Sequence, residues 1–507
     1  HLGPRGRRDG PRCVRAHRRI VPYRFYGMRR SLALHALGIS LSGFILGYDL
    51  CFIGSILVDV QRSLELCYPC EGGYSDVALA KCACPGKSFA VSSVAVGAIL
   101  GGLGGGSVAE WLGRRTALLV TDVFFVAGAA AMALAGPGSA WLFYAGRIAS
   151  GAALGAGGGI SSTFMAEISP PGLRGRLLEL NELMVCTGCL VAFVAAAAFG
   201  DGRWQYTVWA AVLPAGTQFL VVAGLLQESP RWLLGRGEEA RAKRAAAALS
   251  MDFEELRAAA GSAEPSPSTV KAVFAALLAH KHEVAVAIGC ALAHNATAAN
   301  VVLYYSRNVL QRAGLEDPLM ANVAVGGVKF GGVLIALLLI DVVGRRRMLL
   351  VGTVGIVASY IGLIVAFAGQ LLCGLAFASM LSFILFWDLS WAGLMLVVAS
   401  EVLPQPIRAI GVGLIYSIYN IVSFFQEQFL ESMFSSLTVA GTMALFGSLS
   451  SLAFFFVYFY VPETNGAALE KVMDASSSVA SERSTNSSAS DSSDEAQWLP
   501  TGAAAPG

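Results

Sequence analysis

Long apolar runs recur along almost the whole chain, and they constrain the fold more than any other feature. Hydrophobic residues make up 55% of the 507 residues and charged residues only 14%, whereas soluble domains carry about 25% charged residues. A run of about 20 apolar residues crosses a bilayer as a helix, because backbone polar groups in lipid must be satisfied within the segment. We therefore predict an all-α membrane protein with about twelve transmembrane helices. They lie near residues 31–58, 88–109, 116–136, 140–166, 177–199, 204–226, 283–311, 319–341, 348–368, 371–400, 409–434 and 438–461.

Arginine-rich connections alternate with connections that are short or poor in arginine. The basic ones are GRR at 113–115, LRGR at 173–176, the segment 227–282, GRRR at 344–347 and PIR at 406–408. Lys and Arg are enriched in the cytosolic loops of membrane proteins. We therefore expect these connections and both termini to be cytosolic.

Three motifs occur twice at nearly the same offset, which predicts two six-helix repeats around a central site. The paired copies are Glu110-x-x-Gly113-Arg114-Arg115 with Asp341-x-x-Gly344-Arg345-Arg346, Glu167 and Arg174 with Glu401 and Arg408, and ESPR with ETNG. The predicted organisation is a basic cytosolic segment (1–30), an N-terminal half (31–226), a cytosolic linker with short helices (227–282), a C-terminal half (283–461) and a disordered Ser-rich cytosolic tail (462–507).

Four cysteines lie in the loop 59–87, which the same topology places outside the membrane: Cys67, Cys70, Cys82 and Cys84. Thiols oxidise in extracellular compartments, so two disulfides that brace a small lid are the favoured interpretation. A zinc site stays open as an alternative, although Cys-x-Cys is awkward ligand spacing. We expect the remaining cysteines to be packing residues.

Charged residues at the cytosolic helix ends have the wrong sign for the helix dipole. Glu167 and Glu401 end their spans, and Arg174 and Arg408 begin the next ones, so each charge opposes its dipole unless it is paired. We predict a network of gating salt bridges that holds the cytosolic side shut and breaks when the halves rock. Its members are Glu110, Arg114, Arg115, Glu167, Arg174, Asp341, Arg345, Arg346, Glu401 and Arg408. The alternative for the arginines is that they only fix the orientation in the membrane.

Asp49 lies inside the first predicted span, in FILGYDLCFIGSIL. A charge at membrane depth costs at least ~2.5–3.5 kcal/mol, so an intramembrane acid is a functional candidate by default. We predict that its partner is Arg147, in the fourth span. Protonation of Asp49 would release the arginine and shift the conformational equilibrium, and the alternative is a static ion pair.

Nine motifs in order resemble the sugar porter family of the major facilitator superfamily, over about residues 31–470. They are GYDLCFIGSIL, GSVAEWLGRR, GRIASGAALGAG, AEISPPGLRGRL, ESPRWLL, NVVLYYS, DVVGRRR, SEVLPQPIR and VPETNG. The resemblance implies the major facilitator fold and alternating-access transport of a sugar-like solute. It also implies that Asp49 takes the proton in a proton-coupled member and that Arg147 tunes it.

The resemblance further implies a substrate site, and this chain departs from the family there. Its candidate residues are Glu182, His294, Asn295, Asn300, Tyr305, Asp388, Trp391 and Asn420. Where the family has glutamines, this chain has Glu182, His294 and Asn295, and the usual tryptophan of span ten is Leu396. Mutual neutralisation of Lys329, in span eight, and Asp388 is one interpretation of these two charges.

The leading hypothesis is a proton-coupled symporter for a hexose or polyol. A facilitative uniporter, a non-transporting sugar sensor and a carrier for a charged or aminated solute remain as alternatives. No enzyme signature, cofactor, metal or nucleic-acid partner is expected, because no catalytic motif stands in a suitable context. The expected partners are a sugar or polyol, protons and the lipid bilayer, and the expected location is the plasma membrane. The oligomeric state is left open.

Overall fold

The computed structural model describes residues 30–67, 84–169, 174–249, 251–261, 270–312, 317–369, 373–404 and 407–463. These ranges form nineteen α-helices. The N-terminal half contains α1 (Arg30–Ser63), α2 (Pro85–Leu112), α3 (Arg114–Ala133), α4 (Ala140–Ile168), α5 (Arg174–Phe199), α6 (Trp204–Ala210) and α7 (Val212–Gly224). The linker contains α8 (Pro230–Gly235), α9 (Glu239–Leu249), α10 (Phe253–Gly261) and α11 (Val270–Ala279). The C-terminal half contains α12 (Lys281–Ala296), α13 (Ala299–Tyr304), α14 (Ser306–Arg312), α15 (Pro318–Val343), α16 (Arg345–Ala368), α17 (Cys373–Asp388), α18 (Trp391–Val402) and α19 (Arg408–Tyr460).

The helices account for twelve membrane passes. In the described ranges, ten helical segments are long and apolar enough to cross a membrane. The last of them, Ile410–Tyr460, is long enough for two passes and is broken at Thr438, which has a φ of 65°. Helix α4 is not among the ten, but its 29 residues also exceed the length of a span. The prediction of an all-α membrane fold is confirmed.

Three predicted spans are interrupted. Span six divides at Ala211, span seven at Thr297 and Ala298 and again at Tyr305, and span ten at Leu389 and Ser390. Ala298 has a φ of 53°, and the carbonyl of Thr297 accepts a hydrogen bond from Tyr360 at 2.7 Å. Irregular backbone is tolerated at membrane depth only where it lines a cavity or is hydrogen-bonded by the protein. In transporters, such breaks in helices often form part of the solute site.

Small residues bring α2 and α4 into close contact. A Cβ atom at Gly97 would overlap the carbonyl oxygen of Ile148, and one at Gly101 would overlap that of Ala152. The glycine-rich sequence of α2 is therefore a packing feature, as is usual where helix backbones approach closely in membranes.

The bundle has two distinct ends. We call the end at which α2 meets α3, beside the linker, the linker end, and the end at which α1 and α2 are connected the loop end. At the loop end a disulfide joins Cys67 to Cys84. This agrees with the disulfide interpretation for those two residues, whereas Cys70 and Cys82 lie outside the described residues.

A second disulfide corrects the prediction for the other cysteines. Cys51 of α1 is bonded to Cys189 of α5, with their Cα atoms 5.0 Å apart. We expected both to be packing residues, because each lies within an apolar run. They are 138 residues apart in the sequence, so only the packing of α1 against α5 brings them together.

Candidate functional site

Asp49 and Arg147 form an ion pair in the interior of the N-terminal half. Nη1 of Arg147 lies 2.7 Å from Oδ2 of Asp49, and both side chains are 0% exposed. The guanidinium also lies 5.6 Å from the ring centre of Phe52, and Nη2 is 3.4 Å from the carbonyl oxygen of Val91. The predicted partners are therefore in contact, and α1, α2 and α4 together exclude water from them.

Three predicted polar residues of span seven lie against α19. Asn295 accepts a hydrogen bond from Ser423 at 2.8 Å, and Asn300 donates to the hydroxyl of Tyr419 at 2.8 Å. The ring of His294 meets that of Tyr419 edge to face, with the centroids 5.1 Å apart. These side chains offer both hydrogen-bonding groups and aromatic surface, which are the groups that recognise small polar solutes.

Tryptophans surround the other side of His294. Its ring centroid lies 5.5 Å from that of Trp387 and 6.4 Å from that of Trp391. Trp391 is fully buried, and its indole nitrogen donates to Thr353 at 2.9 Å. His294 is thus held in an aromatic cage at the break in span ten.

Lys329 and Asp388 form a second buried ion pair. Nζ of Lys329 lies 2.8 Å from Oδ1 of Asp388. Asp388 also lines a cavity together with Glu182 of α5. Glu182 and Asp388 therefore share one space.

The remaining substrate candidates do not line this cavity. Tyr305 is fully buried with its ring edge against Phe434, and Asn420 donates to the carbonyl of Tyr416 at 2.8 Å. Of the eight predicted binding residues, Glu182 and Asp388 are the two that line the cavity. The sequence pattern identifies the helices, whereas the rotation of each helix decides which side chains face the space between them.

The linker end carries charged contacts within each half. Arg114 binds Glu167 at 2.9 Å and Glu110 at 2.6 Å. In the C-terminal half, Arg345 lies 3.7 Å from Glu401. The other arginines bind backbone carbonyls: Arg115 that of Val222, Arg346 that of Tyr458 and Arg408 that of Leu403. The side chains of Arg174 and Asp341 lie outside the described part.

Both copies of the repeat end in the same capping arrangement. Gly113 and Gly344 have φ angles of 92° and 94°, and each directly precedes a helix. Glu228 accepts from the backbone N–H of Arg114 at 2.9 Å, and Glu463 accepts from that of Arg345 at 3.0 Å. A carboxylate is favourable at a helix N-terminus. The repeated acidic residue therefore caps a helix in the same way in both halves.

The loop end contains ion pairs between the halves that sequence analysis missed. Lys87 of α2 lies 2.7 Å from Glu431 of α19, and both side chains are almost completely buried. Arg307 of α14 binds Asp59 at 2.8 Å and Asp201 at 2.6 Å. The halves are therefore closed against each other at the loop end. The sequence shows charged residues near the outer ends of the predicted spans, but it does not show which of them form ion pairs.

Glu427 is a further buried acid that was missed. It lies on α19, is 1% exposed and interacts electrostatically with Arg147. The next residue, Gln428, accepts a hydrogen bond from Ser92 of α2 at 2.7 Å. Arg147 therefore interacts with acidic residues of both halves.

Comparisons with known proteins agree with this architecture. A family described as "Sugar (and other) transporter" matches residues 35–475. The glucose transporter GlcP of Staphylococcus epidermidis is 26% identical over 447 residues, which are 85% of this chain and 94% of that protein. Myo-inositol transporter 1 of Saccharomyces cerevisiae is 27% identical over 469 residues, which are 85% and 77% of the two chains. The solved structure of the partially occluded, inward-open xylose transporter XylE from E. coli has a TM-score of 0.73 at 22% identity and covers 87% of this chain and 100% of that one. This chain therefore belongs to the sugar transporter family of the major facilitator superfamily.

Proposed function

We propose that the protein is a proton-coupled symporter that carries a hexose or polyol across the membrane by alternating access. The observation that carries this proposal is the fully buried Asp49–Arg147 ion pair. A buried ion pair is a poor source of stability, because desolvation offsets much of the attraction. Its presence at membrane depth is better explained by a functional role.

Protonation of Asp49 would change the charge balance around Arg147. The neutral acid no longer holds the guanidinium, which is then left to interact with Glu427 in the other half. A proton on Asp49 thus alters the attraction between the two halves. Binding of a proton and binding of a solute become coupled, because both then favour the same arrangement of the halves.

The proposed solute is neutral and rich in hydroxyl groups. Asn295 and Asn300 supply amide groups, and Tyr419 and His294 supply ring surfaces, where spans seven and eleven meet. Relatives named as glucose and myo-inositol transporters support a monosaccharide or polyol.

We further propose that the linker end faces the cytosol and the loop end faces outward, at the plasma membrane. The arginine-rich turns of the linker end support this orientation, and a disulfide at the loop end suits an oxidising compartment. In this orientation the conformation described is closed to the outside. The linker-end contacts of Arg114 and Arg345 are then the proposed cytosolic gate, which would rearrange when that side closes.

Uptake in transporter-deficient yeast tests this function. Labelled glucose, galactose, fructose and inositol are supplied at acidic and neutral outer pH, with and without a protonophore. We expect uptake of at least one solute to rise in acid and to collapse with the protonophore. Uptake that responds to neither treatment would identify a facilitative uniporter and make Asp49 structural.

A further inference from the structure

A cluster of three ionisable groups lies between the halves, on different helices from Asp49 and Arg147. Lys329 of α15 donates a hydrogen bond to Asp388 of α17 at 2.8 Å, and both residues are 2% exposed. Glu182 of α5 interacts electrostatically with Lys329. Two carboxylates from opposite halves therefore face one ammonium group.

Among the residues that the structure describes, no second lysine or arginine faces the cluster. The titratable groups that face it are Glu179, Glu182 and Cys186 from α5, His294 from α12, Lys329 from α15 and Asp388 from α17. Lys329 is the only lysine or arginine among these groups. Its Nζ also lies 4.6 Å from the ring centre of Trp387, so the lysine is held from two sides.

The charges of the cluster do not balance when both acids are ionised. Lys329 neutralises one of the two carboxylates of the cluster, which leaves one negative charge on Glu182 or Asp388, in addition to Glu179 on the cavity wall. An unpaired charge is costly at membrane depth, and one added proton removes it. Oδ2 of Asp388 is buried and has no hydrogen-bond partner among the described residues, so a proton acceptor is present.

A small cavity lies beside the cluster, on its linker-end side. Its wall includes Asp388, Glu182, Glu179 and Gly393, and it extends as far as Ile340, near the end of α15. Glu182 is partly exposed to this cavity. Asp49 and Arg147, by contrast, are closed off on all sides in this conformation.

We propose that Glu182, Lys329 and Asp388 form a second proton-binding site, which exchanges its proton with solvent at the linker end during the transport cycle. This inference rests on the proposed symport and deepens it. One proton adds to a carboxylate oxygen of Glu182 or Asp388, and the same proton leaves through the cavity. Because Glu182 belongs to one half and the other two residues to the other half, movement of the halves changes the distances that govern its binding.

The coupling ratio tests this proposal. The full-length protein is reconstituted into vesicles that contain a pH-sensitive dye, and proton entry and labelled solute entry are measured together. We expect Glu182→Gln and Asp388→Asn each to lower the ratio by about one proton per solute, because either change leaves one acid facing one base. Asp49→Asn should lower it by a similar amount, and Asp49→Asn combined with Glu182→Gln should make solute entry insensitive to a proton gradient.

The ratio is informative even where the variants transport slowly, because it does not depend on turnover. An unchanged ratio in either Glu182→Gln or Asp388→Asn overturns the second site but leaves the proposed symport intact. Failure of the unaltered protein to take up any solute would overturn the symport proposal instead.

A measurement without solute tests proton binding directly. Trp387 is next to Asp388 and beside Lys329, so its fluorescence reports on the cluster. We expect the pH-dependent part of the emission to disappear in Trp387→Phe, in Glu182→Gln and in Asp388→Asn, and to persist in Asp49→Asn. If the pH-dependent emission persists in Glu182→Gln and in Asp388→Asn, the proposal is overturned, even if neither variant transports the solute.

Discussion

Asp49 and Arg147 show how a single buried contact is maintained in this protein. They come from α1 and α4, and the contact of 2.7 Å is shielded on all sides. A charge without its partner would be left in a medium of low dielectric constant, where it is much more costly than in water. Loss of this ion pair should therefore affect two separable properties, the coupling of transport to protons and the stability of the protein.

The coupling consequence is tested by Asp49→Asn. The amide has nearly the same shape but cannot take up a proton. We expect proton-driven accumulation of the solute to be lost in vesicles, whereas exchange of labelled for unlabelled solute continues. Glu255→Gln, an exposed change on the linker, is the control. Accumulation at the unaltered level in Asp49→Asn would contradict the coupling role.

The stability consequence is tested by Arg147→Gln. The change leaves the carboxylate of Asp49 buried without its ion-pair partner, which should cost about 3 kcal/mol of unfolding free energy. The double variant Asp49→Asn with Arg147→Gln removes both charges and should recover most of that loss. Thermal unfolding of the purified protein measures both. A double variant that is less stable than Arg147→Gln would show that the pair is not the cause.

At the scale of helices, the contact between α2 and α4 depends on glycines. Gly101→Ala would place a methyl group against the carbonyl oxygen of Ala152. We expect a loss of about 1–3 kcal/mol, which is usual for overpacking. Gly104→Ala is the matched control, because nothing lies within 4 Å of a Cβ there, and alanine favours a helix by up to about 1 kcal/mol. Equal unfolding temperatures for the two variants would contradict this account of the packing.

The whole molecule is closed at the loop end by ion pairs between the halves. Lys87→Glu would place two carboxylates together where Lys87 now meets Glu431 at 2.7 Å, and like charges in contact cost several kcal/mol. We expect the loop end to open. A cysteine at the buried position Ser93 should then react with a membrane-impermeant thiol reagent at least about tenfold faster, since tenfold corresponds to ~1.4 kcal/mol.

The charge-swapped double variant is the control for this experiment. Lys87→Glu combined with Glu431→Lys restores opposite charges, so labelling at position 93 should return toward its original rate. Labelling that stays slow in Lys87→Glu alone would show that this ion pair does not hold the loop end closed.

The number of passes and the repeat could be predicted from the sequence because both depend on local physical chemistry. An apolar run must be helical in lipid wherever it stands, and a buried acid requires a partner. Arg147 was also predicted as the partner of Asp49, and the resemblance to the sugar porters implied a joint role for the two residues.

Only the tertiary structure decided the contacts that depend on helix rotation and on the position of one half against the other. It paired Cys51 with Cys189, and it joined Lys87 to Glu431 across the halves. It also brought Glu182 close to Lys329 and Asp388, although these residues belong to separate repeats. The sequence carries the identity and depth of each such group, but a helix can turn any of its faces inward. Which groups meet is determined by the packing of the whole bundle.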